Sequence, residues 1–396
     1  MLALTALWGV PVVATAQEQP LVFVHGLFSS GGVWQPTANV LEDQFAIRSF
    51  LPTLGWANSF STQANNLHAS IAGTFGTVAV ANSNGGLVTR EYLRQFGGSS
   101  RIDRAITIGT PHGGAALAAH ALNGNLILYG DVLFSSIADP IDYYYTFDPA
   151  FRDAFDFGPL RFFRFAAEVM ASLARSLNII INVVGVPIPG ITNTEVLPQM
   201  PPGSSFISTL NAPSNVANEA AVTLSRVGVA TSIPPQNAFF RNFSDNPQAW
   251  GSVRRGLMSF ALLMYSHYSA HPDFFLRANA DRWLFMFFVL RDFDVVWHFF
   301  IGSLVDYNGF VAVVDHQDGL VPRASATWPG ADRQRDLLFP AFNIVHRQQT
   351  VHPDARREIS NTFRDVFGIP VRPPPPPPGG GGDDCIPEPP AIVCNS

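Results

Sequence analysis

The segment VAVANSNGGLVTREYL, residues 78–93, places a serine between an apolar run and a stretch with helical character. A sharp strand-to-helix turn of this kind can present a serine hydroxyl at the end of a sheet as a nucleophile. Ala81 and Gly85, two residues before and after Ser83, are small enough to let strand and helix approach closely. The N–H of Asn84, at the start of the helix, would face a developing oxyanion. Taken alone, the pattern also fits an ordinary tight connection.

A second loop that could take part in catalysis lies in VFVHGLFSSGGVW. It follows an earlier apolar run and contains His25 and Gly26. We expect the N–H of Leu27 to be a second oxyanion donor. Parallel strands that both end in glycine-containing turns bring such donors to one edge of a sheet. The alternative is a turn without a chemical role. Phosphate binding is disfavoured because the loop lacks GxGxxG and the chain contains no Lys.

The elements that must position these residues follow an α/β rhythm. The apolar runs PLVFVHGL, FAIRSFLP, TVAVANS and RAITIGTPHGG predict short strands, and TQANNLHASIAG and GGLVTREYLRQF predict helices between them. Such strands indicate a mainly parallel sheet covered by helices on both faces. From about residue 115 to 309 helical and apolar segments dominate, and residues 187–235 are rich in Pro and Ser, which predicts a loop. The rhythm returns at GFVAVVDHQDGLVP and LLFPAFNIVHRQQ and ends in a helix near residues 354–367.

The segments VHGLFSSGGVW, ANSNGG, ITIGTPHGG and DGLVP, in this order, resemble the α/β-hydrolase fold of bacterial triacylglycerol lipases and related esterases. The resemblance covers about residues 21–114 and 310–367 and leaves the segment between them unmatched. It departs at Ala81, where Gly is commoner, and at Asn82, where many lipases carry His. It implies a Ser–Asp–His triad that forms an acyl-enzyme.

In this fold the acid and the histidine follow the serine along the chain. The resemblance assigns the acid to Asp318 in the Asp-Gly pair, with Asp315 as the alternative, and the base to His346. His352, which precedes Pro353, is the alternative base and is otherwise expected to start a helix or to contact the rim of the site. His112 in TPHGG is expected to support its loop.

No cofactor or metal site is expected. His267 and His271 have helical i, i+4 spacing, but neither an HExxH motif nor an obvious third ligand accompanies them. The domain prediction is a signal peptide at 1–16, a first core part at 17–114, a helical cap or lid insertion at 115–309, a second core part at 310–370 and a Pro/Gly-rich tail with Cys385 and Cys394 at 371–396.

Composition narrows the function further. The net charge of −6 and the absence of a basic run disfavour nucleic acid as a partner. Only 14% of residues are charged and 12% are aromatic, with aromatics concentrated in the insertion, which favours lipid esters and transient contact with a lipid interface. We therefore expect an exported lipase or carboxylesterase. The alternatives are the same triad acting on a phospholipid, sterol ester, polyester or amide, or a non-catalytic lipid-binding homologue.

Overall fold

A single parallel sheet of six strands forms the centre of the molecule. The computed structural model describes residues 18–155, 194–236, 238–243, 247–307 and 311–372. The strands of the sheet are β1 (Gln19–Val24), β2 (Ile47–Phe50), β3 (Thr77–Asn82), β4 (Ile102–Ile108), β5 (Ser225–Thr231) and β8 (Arg333–Leu337). Their order is β2-β1-β3-β4-β5-β8, and every neighbouring pair is parallel.

Helices cover both faces of this sheet because its central strands are apolar on both sides. All six residues of β3 are buried. Val78 and Val80 belong to one apolar cluster, and Ala79 and Ala81 belong to the cluster on the opposite face. The first cluster includes residues of α1 (Gln35–Gln44) and α15 (Pro353–Asp365), and the second includes residues of α2 (Phe60–Ser70) and α3 (Asn84–Phe96). The predictions of the first four strands, of α2 and α3 and of the last helix are confirmed.

Several of the remaining helices pack together outside the sheet. Tyr144, Tyr268 and Trp283 are fully buried in a separate apolar cluster that these helices form. The remaining elements are α4 (Ala116–Leu122), α5 (Asn125–Phe147), α6 (Pro149–Phe155), α7 (Ser205–Leu210), α8 (Pro213–Val222), α9 (Ala238–Phe243), α10 (Pro247–Ser269), α11 (Phe274–Ala278), α12 (Asp281–Arg291), α13 (Phe293–Phe300), α14 (Arg323–Ala326), β6 (Leu304–Tyr307) and β7 (Val311–Val314). Helices α5 and α10 to α13 are called the cap below.

The segment 115–309 is not one helical insertion, because β5 lies within it and pairs with β4. The expected loop at 187–235 is also wrong, since it contains α7, α8 and β5. The same Ser and Pro residues that predicted a loop start the two helices. The hydroxyl of Ser204 accepts a hydrogen bond from the N–H of Ile207, and Pro213 occupies the first turn of α8. Both are favoured positions at helix N-termini.

Two strand predictions in the second core part need correction. The apolar run at 311–314 forms β7, which pairs antiparallel with β6 in a separate two-stranded sheet. No strand of the described chain leads directly into His346; the last strand of the main sheet is β8. Strand β8 lies at the sheet edge and is mostly exposed, so its sequence RQRDL carries no apolar run to predict it.

Some predictions lie outside the described residues. These are the signal peptide at 1–16 and the part of the Pro/Gly-rich tail, with Cys385 and Cys394, that follows residue 372. Within the described ranges, no helix combines the length and the apolarity needed to cross a membrane.

Candidate active site

Ser83 occupies a strained turn between β3 and α3. Its φ of 53° and ψ of −134° lie outside the regions that L-residues favour. The Ser83 N–H donates to the carbonyl of Ile108 (3.0 Å), and the Ser83 carbonyl accepts from the N–H of Gly86 (3.1 Å). In the described chain, Phe28 is the one other non-glycine residue with positive φ. Each such residue costs on the order of 1–3 kcal/mol, and strain of this kind clusters at functional sites.

Glycines permit the close approach of the segments around Ser83. A Cβ atom on Gly26 would lie 2.7 Å from the Cβ of Ser83. A Cβ atom on Gly85 would overlap the carbonyl oxygen of Val24, and one on Gly86 would overlap the side chain of Thr110. Gly85 therefore has the spacing role that the sequence pattern predicts, and Gly26 brings the preceding loop against Ser83.

Two backbone N–H groups flank this turn. Asn84 is the first residue of α3, where a helix leaves its N–H without an intrahelical acceptor. No backbone carbonyl in the described ranges accepts a hydrogen bond from the N–H of Leu27. The peptide group between Gly26 and Leu27 is held by His25, whose Nδ1 lies 2.9 Å from the Gly26 carbonyl oxygen.

The tautomer of His25 follows from its second contact. Its Nε2 accepts a hydrogen bond from the N–H of Leu54 (3.0 Å), so Nδ1 carries the proton and donates to Gly26. Burial lowers the pKa of His25, and the hydrogen bond to Gly26 opposes that shift. A neutral imidazole thus fixes the Gly26 carbonyl. Because a trans peptide points its C=O and N–H in opposite directions, the Leu27 N–H is fixed as well.

Asp318 and His346 form a buried acid–base pair. The Nδ1 of His346 donates to Oδ2 of Asp318 at 2.7 Å, and the His346 backbone N–H donates to the Asp318 carbonyl at 3.0 Å. The other carboxylate oxygen, Oδ1, accepts from the N–H groups of Leu320 (3.1 Å) and Val321 (2.8 Å). Asp318 is only 1% exposed. The carboxylate therefore orients the imidazole, and the surrounding backbone orients the carboxylate.

The alternatives for these two positions have other contacts. The carboxylate of Asp315 accepts from the backbone N–H groups of His316 and Ala324. The Nδ1 of His352 accepts from the N–H of Asp354 and caps α15, as its position before Pro353 predicts.

The end of β4 connects the serine turn to the acid–base pair. Ser83 is bonded to Ile108, and the next residue, Gly109, lies against the side chain of Gln349. The amide of Gln349 in turn donates to Oδ2 of Asp318. These groups share the carboxyl edge of β3, β4 and β5, where ligands bind in open α/β sheets. The sequence reasoning did not identify Gln349, and a polar residue three positions after the histidine was the signal available for it.

Other residues singled out from the sequence lie beside the site or apart from it. His112 is fully buried, stacks on Trp328 with ring centroids 5.2 Å apart and has its Nε2 3.0 Å from Thr107 Oγ1. Burial holds the pKa of His112 far below its ordinary value. Asn82 is buried, and its Oδ1 has no partner among the described residues. In the same residues, no group of three or more His, Cys, Asp and Glu could hold a metal ion.

The strand order and the serine turn identify the architecture. The fold is that of an α/β-hydrolase. No family model matches the sequence, and no curated protein sequence matches it. Solved structures that resemble this chain have low sequence identity to it and carry no argument about its activity. The fold is identified from the strand order and the serine turn of the chain itself.

Three of these similar structures illustrate the distance. The mature form of the Bacillus licheniformis lipase BlEst2 has 13% identity and a TM-score of 0.41, over 88% of this chain and 91% of that one. The lin2722 gene product of Listeria innocua has 9% identity and a TM-score of 0.35, over 88% and 95%. A thermophilic esterase from Thermogutta terrifontis has 16% identity and a TM-score of 0.28, over 56% and 76%.

Proposed function

We propose that the chain is an exported serine hydrolase that cleaves carboxylic esters of lipids through Ser83, His346 and Asp318. The observation that carries this proposal is the buried Asp318–His346 pair at the same sheet edge as a strained serine turn. A nucleophile needs an adjacent base, and the base needs a group that fixes its orientation. No other carboxylate–histidine pair in the described chain is both buried and in contact at 2.7 Å.

The reaction follows from the roles of these groups. The Nε2 of His346 accepts the proton of the Ser83 hydroxyl as the oxygen attacks the ester carbonyl carbon. The N–H groups of Leu27 and Asn84 stabilise the negative charge on the carbonyl oxygen. The imidazolium then gives its proton to the departing alcohol, which leaves an acyl group on Ser83. Water, deprotonated by His346, then attacks the acyl carbon; the bond to Ser83 Oγ breaks, the acid leaves, and the imidazolium returns its proton to Ser83.

The exposed apolar side chains of the cap are the evidence that favours a lipid substrate and contact with a lipid interface. Phe147, Leu263, Phe274, Phe275 and Phe285 are each more than half exposed, and Phe275 reaches 72%. Exposed apolar side chains at this density mark interaction surfaces on soluble proteins. They would meet apolar acyl chains or a lipid surface.

Labelling with a fluorophosphonate tests the chemistry directly. The probe should attach covalently to Ser83, and Ser83→Ala should abolish both labelling and ester hydrolysis while the circular dichroism spectrum stays unchanged. Ser208→Ala is a matched control, because Ser208 is an exposed serine on α7. Hydrolysis retained by pure Ser83→Ala protein would overturn the assignment. Absence of labelling in the wild type would favour the non-catalytic lipid-binding alternative.

A substrate panel separates the remaining alternatives. Triacylglycerols and p-nitrophenyl esters of increasing chain length, a phospholipid, a sterol ester, a polyester and an amide should be compared by kcat/KM. We expect the lipid carboxylic esters to rank highest.

Expression of the full chain in a bacterial host, followed by mass determination of exported protein, should show an N-terminus at Gln17. Retention of residues 1–16 would contradict the export prediction.

A further inference from the structure

The side chain of Gln349 makes two hydrogen bonds at the centre of the site. Its Nε2 donates to Oδ2 of Asp318 and to Oγ1 of Thr231, both at 2.7 Å. Gln349 is 1% exposed, so these bonds form out of contact with bulk water. The reverse orientation of the amide would place its oxygen against a carboxylate oxygen. The electrostatic repulsion between the two oxygens therefore assigns the nitrogen to this position.

The backbone places Gln349 and His346 on the same carboxylate oxygen. The two residues share one turn, in which the N–H of Gln349 donates to the carbonyl of His346 at 3.4 Å. Gly109, with a φ of +55°, lets β4 pass directly against the amide, and a Cβ atom at this position would overlap it. The close packing of β4 therefore restricts movement of the Gln349 amide.

We propose that Gln349 is a positioning residue that holds the Asp318 carboxylate in place for His346, which rests on the proposed function. Backbone N–H groups already hold Oδ1, and Gln349 is the second donor to Oδ2. With both oxygens held, the carboxylate cannot rotate away from the imidazole. The amide also stabilises the carboxylate as an anion, which is the form that stabilises the imidazolium during the reaction.

The positioning role of Gln349 can be tested through the pH dependence of kcat, because few titratable groups surround this side chain in the described chain. In the described chain, Asp318 is the titratable side chain that accepts a hydrogen bond from Gln349, and His346 contacts the same carboxylate oxygen. Thr231 from β5, Gly109 from β4 and Asn242 from α9, which donates to the Asp318 carbonyl, are all uncharged. A carboxyl group introduced at position 349 would thus face one carboxylate directly.

Two variants of similar size test the proposal. Gln349→Met keeps the volume and removes the donor, and we expect kcat to fall about 10- to 100-fold with KM unchanged, because a hydrogen bond to a charged group is lost. Gln349→Glu can donate to Asp318 only while its carboxyl group is protonated. Like charge and burial raise the pKa of such a group. The ratio of variant to wild-type kcat should therefore fall as the pH rises from 5 to 8.

The pH ratio distinguishes positioning from simple packing. A packing defect would lower kcat of Gln349→Glu by a factor that does not change with pH, and this result would overturn the proposal. Near-ultraviolet circular dichroism at each pH verifies the fold, and if Gln349→Met does not fold, the Gln349→Glu ratio decides alone. A wild type that hydrolyses esters together with a Gln349→Met kcat within twofold of it refutes the role of Gln349 only. A wild type without hydrolysis or labelling refutes the proposed function itself.

Discussion

The buried ion pair between Arg90 and Glu219 makes a quantitative prediction about the helix that follows Ser83. Arg90 lies on α3, and its Nε donates to Glu219 of α8 at 2.9 Å, with both side chains 0% exposed. Arg90 also donates to Asn211 Oδ1 and to the Leu210 carbonyl, both at 2.7 Å. The second carboxylate oxygen of Glu219 accepts from the indole N–H of Trp328. The pair therefore joins α3 to the segment 210–219.

Burial dominates the electrostatics of this pair. It raises the pKa of Glu219 and lowers the pKa of Arg90, and the attraction between the two groups only partly opposes these shifts. Arg90→Met leaves the carboxylate buried with the indole as its one side-chain donor in the described chain. Breaking a buried pair in this way costs about 3–5 kcal/mol of unfolding free energy. Arg90→Met combined with Glu219→Gln removes the charge and keeps an acceptor for Trp328, so this double variant should recover part of the loss.

The stability loss in Arg90→Met should depend on pH, and proton binding by Glu219 determines its direction. Without Arg90, the native state binds a proton at Glu219 at pH values where the unfolded chain, with an ordinary Glu pKa of about 4.3, does not. The native state then binds more protons, so stability falls as the pH rises through this window. Urea titrations followed by tryptophan fluorescence should show a larger loss for Arg90→Met at pH 7.5 than at pH 5. A loss below about 1 kcal/mol at both pH values, or a double variant no more stable than the single one, would refute this reasoning.

Three further predictions concern individual residues of the site. Asp318→Asn should lower kcat by about 10⁴-fold, the loss seen when a triad acid becomes an amide, whereas Asp315→Asn should leave ester hydrolysis within about twofold, because it lacks the contact with His346. Gly85→Ala should cost about 1–3 kcal/mol in urea unfolding through overlap with Val24; Gly98→Ala, which meets no atom within 4 Å, is its control. Burial lowers the pKa of His112, so below about pH 6.5 the unfolded state binds more protons than the native state. The unfolding free energy of the wild type should therefore fall by up to about 1.4 kcal/mol for each pH unit by which the pH drops below this value. His112→Gln should reduce this slope in urea titrations at pH 5 to 7.5, and exposed His267→Gln should not; equal slopes in all three proteins would contradict the burial argument.

The sequence predicts the part of the fold in which residue type and burial agree. Strands β1, β3 and β4 are apolar because both of their faces are covered, and glycines such as Gly85 mark places where backbones approach. Strand β8 escapes prediction because an edge strand need not be apolar. Strand β5 is also missed, because its short apolar run lies between helical segments of the sequence, although six of its seven residues are buried.

The candidate site likewise contains residues that the sequence predicts and residues that it does not. Ser83 and Asp318 stand in short motifs that carry the resemblance, and His346 follows them in the chain order that the resemblance implies. Gln349 and Thr231 stand in no such motif, because their contact joins positions 118 residues apart and depends on the order of the strands. A residue that acts through a carboxylate from another loop leaves no local pattern, so only the three-dimensional arrangement reveals it.

Between the two parts of the cap, the chain returns to the sheet at β5. Strand β5 ends at Thr231, which accepts from Gln349, and the cap helices α10 to α13 follow it in the chain. The preceding helix, α8, holds α3 through Glu219 and so supports the strained turn at Ser83. Strain of about 1–3 kcal/mol at that turn persists only where the surroundings over-determine the backbone. Helix α8 and strand β5, which lie between the two parts of the cap in sequence, therefore belong with the sheet: α8 supports the serine turn, and β5 supports the residue that contacts Asp318.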